Sequence, residues 1–169
     1  SVKSRGLGDV YKRQSKYLDR FPEIENKRRK KYAAMVSAMD DGVGRVMNAI
    51  KSAGQEENTI VVFLSDNGGP VHKNGSKNFP LRGGKSDLYE GGIRVPFAMQ
   101  WKGKIKKGME YNYPVSSMDI MGTICEIAGV KTKNKLDGVN LLPFLKTKNK
   151  AMPHDVLFWR KWEQNAMAI

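Results

Sequence analysis

The pattern of apolar residues predicts a helix in the first half of the chain. Apolar side chains recur every three or four positions, at Met35, Met39, Val43, Val46 and Ile50. This spacing places them on one face of a helix, and a glycine just past the last of them, Gly54, predicts its end.

Two later runs predict strands. Residues 59–64 form a continuous, largely β-branched apolar run, typical of a strand that is buried on both faces in a parallel sheet between helices. Residues 95–101 predict a second strand, and the long glycine-rich stretch 65–92 between the two runs predicts a loop. A helix that leads into such a strand is half of an α/β unit, which sets the fold class.

A second helix is predicted over residues 117–128. Ser116 or Ser117 is the predicted cap, and Asp119 lies in the first turn, where the helix dipole favours an anion. Its predicted apolar stripe consists of Ile120, Met121, Ile124, Ile127 and Ala128. Residues 156–159 begin a further strand-like run.

The net charge adds information on possible partners that the predicted elements do not give. The chain has 169 residues and a formal net charge of +13, which favours anionic partners, although short basic runs are also common on solvated faces. No apolar run approaches the length of a membrane span. The single cysteine, Cys125, cannot form an internal disulfide and is interpreted as a buried structural residue.

The chain divides into three parts by sequence. Residues 1–14 show no clean period, resemble a non-native leader, and are set aside. Residues 15–150 form the main domain, and residues 151–169 are interpreted as the start of a further subdomain.

Candidate chemistry follows the first predicted strand. Asp66 and Asn67 place two hard oxygen donors side by side, which suits Ca²⁺ or Mg²⁺, although Asp-Asn-Gly is also an ordinary turn sequence. Further on, paired glycines at 83–84 and 91–92 allow a close approach to a ligand. Lys85 offers a compact positive charge, and Arg82 and Arg94 offer bidentate partners for an oxyanion.

Three segments in order, residues 58–69, 81–85 and 89–96, resemble the second half of the sulfatase catalytic domain. The resemblance extends over residues 32–144, and residues 156–160 are similar to the entry of the family's small C-terminal sheet. It implies an α/β, alkaline-phosphatase-like sandwich, present here as an incomplete fragment. In it, helices pack on a mainly parallel sheet and a small antiparallel subdomain begins.

The resemblance also implies a function, the hydrolysis of sulfate esters with a formylglycine nucleophile and a bound Ca²⁺ or Mg²⁺. By similarity, Asp66 and Asn67 are the second pair of metal ligands, and Lys85 contacts the substrate sulfate. The formylglycine motif, Cys/Ser-x-Pro/Ala-x-Arg, does not occur in these residues. The implied substrate is a sulfated small molecule or polysaccharide, and the implied location is periplasmic or secreted.

Other residues and other functions stay open. His72 follows the Asp-Asn turn and is either a substrate contact or a loop residue, and His154 is structural or exposed. Glu90 and Arg94 are interpreted as structural. The alternatives are a phosphonate or phosphodiester hydrolase of the same superfamily, or a basic nucleic-acid-binding module, which the placement of the aromatics in apolar runs disfavours.

These inferences predict that the 169-residue chain alone does not hydrolyse sulfate esters, because it lacks the nucleophile segment. The measurement is release of the phenol from an aryl sulfate by the purified chain, with and without millimolar Ca²⁺. Turnover above the buffer background would contradict the prediction.

Overall fold

The computed structural model describes residues 15–146, 151–162 and 165–169, so the predicted leader lies outside the described residues. The helices are α1 (Ser15–Leu18), α2 (Lys27–Ser52), α3 (Val71–Asn74), α4 (Glu90–Ile93), α5 (Asp119–Ile127) and α6 (Leu142–Lys146). The strands are β1 (Ile60–Leu64), β2 (Phe97–Trp101), β3 (Trp159–Lys161) and β4 (Ala166–Ala168). No described helix is long and apolar enough to cross a membrane.

The chain divides into two compact units. The first contains the residues up to Gln55 together with Phe63–Phe97, and the second contains Glu56–Val62 together with Ala98–Ile169. The division passes through β1 and β2, which pair as a two-stranded sheet. All the residues proposed for chemistry belong to the first unit.

Helix α2 begins at a side-chain cap. Asn26 accepts hydrogen bonds from the backbone N–H groups of Arg28 and Arg29, at 3.1 and 3.0 Å, and so satisfies two donors that a helix start leaves open. The small side chains Ala34 and Ala38, one turn apart, let the ring of Tyr17 pack closely, and all three residues are buried.

An ion pair also joins the α1 segment to α2. The Arg20 guanidinium donates to both carboxylate oxygens of Asp41, at 3.0 and 2.8 Å, and to Ser37 Oγ at 2.7 Å. These hydrogen bonds and the adjacent positive charge hold the pKa of the Asp41 carboxyl below its ordinary value.

The predicted amphipathic helix is confirmed, but its apolar stripe is not buried among the described residues. Met39 is 47% exposed and Val46 is 60% exposed. The buried face of α2 carries alanines instead, because Tyr17 of α1 packs against that face.

Both predicted strands exist, with two corrections. The first is not buried on both faces, since Phe63 is 42% exposed and the rest of β1 is only half-buried. The reason is that β1 has a single neighbouring strand, β2, among the described residues. The second strand begins at Phe97, two residues later than predicted, and its burial alternates along the strand.

The stretch predicted as a loop, residues 65–92, is not entirely loop. It contains α3 and most of α4, each a single turn. The glycine pair Gly91-Gly92 lies inside α4 and is buried, which sequence periodicity cannot reveal in so short an element.

Helix α5 buries polar residues where an apolar stripe was predicted. Asp119 and Thr123, one turn apart, have no exposed surface, whereas Met121 and Ile124 of the predicted stripe are exposed. The polar face is buried because its side chains accept hydrogen bonds from backbone N–H groups of the segment that follows the helix. Thr123 Oγ accepts from the N–H of the buried Leu141 at 3.0 Å.

Asp119 accepts hydrogen bonds from three parts of the second unit. Its carboxylate binds the N–H of Ser116 at 2.7 Å and the N–H of Val139 at 2.9 Å. His154 Nε2 lies 2.8 and 2.9 Å from its two oxygens, and since a carboxylate only accepts, this nitrogen carries the proton. His154 is therefore structural, which was one of the two predicted alternatives.

Two further expectations concern the second unit. Cys125 is half-buried rather than buried, and its thiol lies 3.6 Å from Met121 Sδ. The expected antiparallel element near the end of the chain is present, because β3 and β4 pair antiparallel with Arg160 opposite Met167.

We predict that Asp119→Ala lowers the free energy of unfolding by about 3–5 kcal/mol, because it leaves a buried histidine and two backbone N–H groups without an acceptor. Urea unfolding followed by circular dichroism measures the change, and Asp119→Asn is a milder variant that keeps the volume. The matched control is Asp155→Ala at an exposed position beside His154, expected to change stability by less than about 0.5 kcal/mol. Equal urea midpoints for Asp119→Ala and Asp155→Ala would contradict the structural role of Asp119.

Candidate functional site

The turn after β1 is built by short-range hydrogen bonds. Ser65 N–H donates to Pro96 O at 3.2 Å, and Ser65 Oγ donates to Asn67 O at 2.8 Å. Asn67 Nδ2 donates to Gly68 O at 2.9 Å, which fixes the amide orientation. The Asn67 Oδ1 atom and the exposed carboxylate of Asp66 then have no hydrogen-bond partner among the described residues.

These two oxygen donors match the chemistry of a hard cation. Ca²⁺ takes about six to eight oxygen ligands, so Asp66 and Asn67 fit by type but supply only part of a shell. The described part of the chain contains no group of three or more His, Cys, Asp or Glu side chains that could hold a metal ion.

A second loop carries Lys85 to the same turn. The Lys85 N–H lies 3.4 Å from Gly69 O, and the neighbouring Gly84 N–H donates to Asp87 Oδ2 at 2.8 Å. The Lys85 side chain is exposed and has no ion-pair partner among the residues described. The structure thus brings the backbone of Lys85 against the turn that carries Asp66 and Asn67.

The glycines of the two loops approach each other rather than an open ligand space. Gly68 N–H donates to Gly92 O at 2.9 Å, and Gly91 N–H donates to Arg82 O at 2.7 Å. A Cβ added to Gly68 would collide with the carbonyl of Gly91. The interpretation that these glycines make room for a ligand is therefore corrected, because backbone fills the space.

Asn67 also lines a cavity of about 450 Å³ in the first unit. Its wall includes the cationic residues Lys77 and Arg94 and the aromatic residues Tyr32 and Phe79. An amide, two cations and two aromatic side chains together suit an anionic ligand with an apolar face.

The remaining predicted residues occupy other places. His72 lies in α3, exposed, and lines a different cleft of about 620 Å³ with Lys27 and Arg28, so it does not join Asn67. Glu90 and Arg94 form an exposed ion pair at 3.1 Å, as a structural role implies.

The Arg82 side chain packs on an aromatic ring. Its guanidinium lies over the ring of Tyr89, 4.0 Å from the centroid, which is a cation–π contact. Its carbonyl is the acceptor for Gly91 N–H, so this residue holds the second loop together.

Sequence reasoning missed two side chains that hold the loops. Asp87 accepts from Gly84 N–H, and Asn78 bonds to the backbone of both Gly69 and Gly83. Nothing in the local pattern marks them, because their partners lie up to nine residues away and are backbone groups.

The fold and the turns define the class of the protein: an α/β domain whose candidate site lies in a turn at the end of a strand. Its relatives give the family. The sulfatase family model matches residues 9–130. The sulfatase YdeN of Escherichia coli is 41% identical over 134 residues, covering 76% of this chain and 23% of YdeN. The steryl-sulfatase of Rattus norvegicus is 36% identical over 136 residues, covering 75% of this chain and 24% of that relative.

Solved structures agree with these relatives. The structure of Ps i-CgsB in complex with k-i-k-neocarrahexaose matches with a TM-score of 0.78 at 42% identity, over 83% of this chain and 31% of that one. A protein in complex with its substrate D-glucosamine-2-N,6-O-disulfate matches with a TM-score of 0.60 at 27% identity, over 81% of this chain and 27% of that one.

The chain belongs to the sulfatase family, as the resemblance of its three segments implied. The predicted fold class, an α/β sulfatase architecture present in part, is confirmed by the structural neighbours. The chain spans about a quarter of the length of the curated relatives it matches, 23% of one and 24% of the other.

We predict that Gly91→Ala destabilises the first unit by about 1–3 kcal/mol, because the added methyl group would collide with the backbone carbonyls of Arg82 and Gly83. Urea unfolding measures the effect. The matched control is Gly44→Ala in the interior of α2, where an added Cβ meets no heavy atom within 4 Å. That control is expected to stabilise the chain by about 0.5–1 kcal/mol, and equal effects of the same sign would contradict the packing described.

Proposed function

We propose that this chain is the part of a sulfate ester hydrolase that holds the metal through Asp66 and Asn67 and contacts the sulfate through Lys85. One observation carries the proposal: the turn with the Asp66 carboxylate and the Asn67 Oδ1, which have no hydrogen-bond partner in the described part of the chain, is packed against the backbone of Lys85. Sulfatases are generally dependent on a metal ion and on formylglycine, and the nucleophile is proposed to come from another segment of the whole protein.

The proposed roles follow from the chemistry of each group. When bound, Ca²⁺ or Mg²⁺ would polarise the sulfate, and Asp66 and Asn67 would supply two of its oxygen ligands. The Lys85 ammonium offsets negative charge as it develops on the ester and leaving-group oxygens, and this stabilises the transition state more than the ground state.

The proposed substrate class is a sulfated carbohydrate. The cavity beside Asn67 is lined by the cations Lys77 and Arg94, which suit an anionic group, and by Tyr32, which suits a sugar face. Two structural neighbours were solved with carbohydrate ligands, one of them a disulfated glucosamine. The proposed location, periplasmic or secreted, rests on the family alone.

A chimera tests the proposal, because the chain alone is expected to be inactive. Residues 15–146 replace the matching segment of Ps i-CgsB, and sulfate release is followed from sulfated oligosaccharides and an aryl sulfate. Lys85→Ala is expected to lower kcat about 10²–10³-fold, as the loss of an oxyanion partner does. Asp66→Ala is expected to lower activity in a way that higher Ca²⁺ partly restores.

Two control variants, Lys73→Ala and Asp137→Ala, remove exposed charges at positions that carry no proposed role and are expected to leave kcat within about twofold. A folded but inactive chimera, beside an active parent, would overturn the proposal. Faster hydrolysis of a phosphate diester than of the sulfate would favour the phosphodiesterase alternative instead.

A further inference from the structure

The Asn78 side chain binds two separate turns at once. Its Oδ1 accepts from Gly69 N–H at 3.0 Å, and its Nδ2 donates to Gly69 O at 2.9 Å and to Gly83 O at 2.8 Å. Gly69 ends the turn that carries Asp66 and Asn67, and Gly83 lies two residues before Lys85. A single carboxamide therefore bridges the two halves of the candidate site.

Only a carboxamide of this length satisfies these partners. One oxygen must accept and two hydrogens must be donated, which uses both donors of the amide and allows a single orientation. Aspartate would set one acceptor oxygen against two carbonyls, and leucine would leave Gly69 N–H and Gly83 O without these partners in a partly buried place, whereas Gly69 O would keep the Val71 N–H at 3.0 Å.

The neighbouring glycines make the bridge possible. A Cβ on Gly84 would lie 2.5 Å from Gly69 O and 3.0 Å from Asn78 Nδ2, so any other residue would separate the two turns. The same close approach leaves the Lys85 N–H 3.4 Å from Gly69 O. The position of Lys85 is thus defined relative to Gly69, which Asn78 holds by both of its backbone groups.

We propose that Asn78 is a positioning residue that sets Lys85 relative to Asp66 and Asn67. Asn78 also lines the cavity beside Asn67, but its carboxamide is bonded to the backbone of Gly69 and Gly83, and in this proposal it acts through them and not by contact with the metal or the sulfate. The inference rests on the roles proposed above for Asp66, Asn67 and Lys85. A displacement of about 1 Å between reacting groups is enough to lower a rate about 10²-fold.

The first measurement is amide hydrogen exchange by NMR on the full chain. In Asn78→Leu, the Gly69 amide loses its acceptor directly, whereas the Gly84 amide keeps its own acceptor, Asp87. If Asn78 couples the turns, both amides exchange at least about tenfold faster in Asn78→Leu and in Asn78→Asp. The control is Asn74→Ala, which removes one bond within the same loop, from Ser76 N–H, and is expected to leave the Gly84 amide unchanged.

The second measurement is the kinetics of the same variants in the chimera. Asn78→Leu is expected to lower kcat about 10²-fold with KM changed much less, because misplacement of Lys85 affects the transition state more than binding. Asn74→Ala should keep kcat within about twofold. A purely structural role would instead lower the amount of folded enzyme and leave kcat per folded molecule intact.

The outcomes separate the inference from the function on which it rests. Unchanged exchange at Gly84 in Asn78→Leu, or an unchanged kcat in an active chimera, would overturn the role of Asn78. An inactive wild-type chimera would contradict the proposed function itself, while the exchange data would still decide whether Asn78 couples the two turns.

Discussion

The candidate site depends on one close contact, that of the turn after β1 with the loop that carries Lys85. Loops usually keep apart because side chains intervene, but here glycine hydrogens face carbonyl oxygens across the contact. The bond from Gly68 N–H to Gly92 O and the approach of Lys85 N–H to Gly69 O cross this contact, and the bond from Gly91 N–H to Arg82 O holds the second loop itself. The contact thus brings the backbone of Lys85 against the turn of Asp66, nearly twenty positions earlier in the chain.

The second unit is held together by different interactions. Its core is partly polar, with Asp119 and Thr123 buried and bonded to the chain that crosses helix α5. Burial of a carboxylate is unfavourable unless its oxygens are satisfied, and here backbone and histidine donors satisfy them. This arrangement specifies a unique packing, since a shifted segment would leave the carboxylate without its partners.

The sequence predicted the helices and strands that have a local periodic pattern, and it missed the contacts that depend on partners far along the chain. Helix α2 and both strands of the first sheet were found because period 3.6 and β-branched runs reflect local geometry. The buried face of α5 was predicted wrongly, because hydrophobicity favoured Met121 and Ile124 over Asp119. The partners of Asp119 lie in segments that no short window contains. Asn78 was missed for the same reason.

The same contrast holds for the predicted site residues, whose identities come from local motifs but whose arrangement does not. Asp66, Asn67 and Lys85 were predicted from their motifs, and the structure places the backbone of Lys85 against the turn that carries Asp66 and Asn67. Their relation to one another depends on bonds that no motif contains. These bonds are made by the protein's own backbone and by Asn78, and they hold the two turns together. Under the proposed roles of Asp66, Asn67 and Lys85, loops already held in this way would cost less binding energy to order than loops that only a ligand brings together.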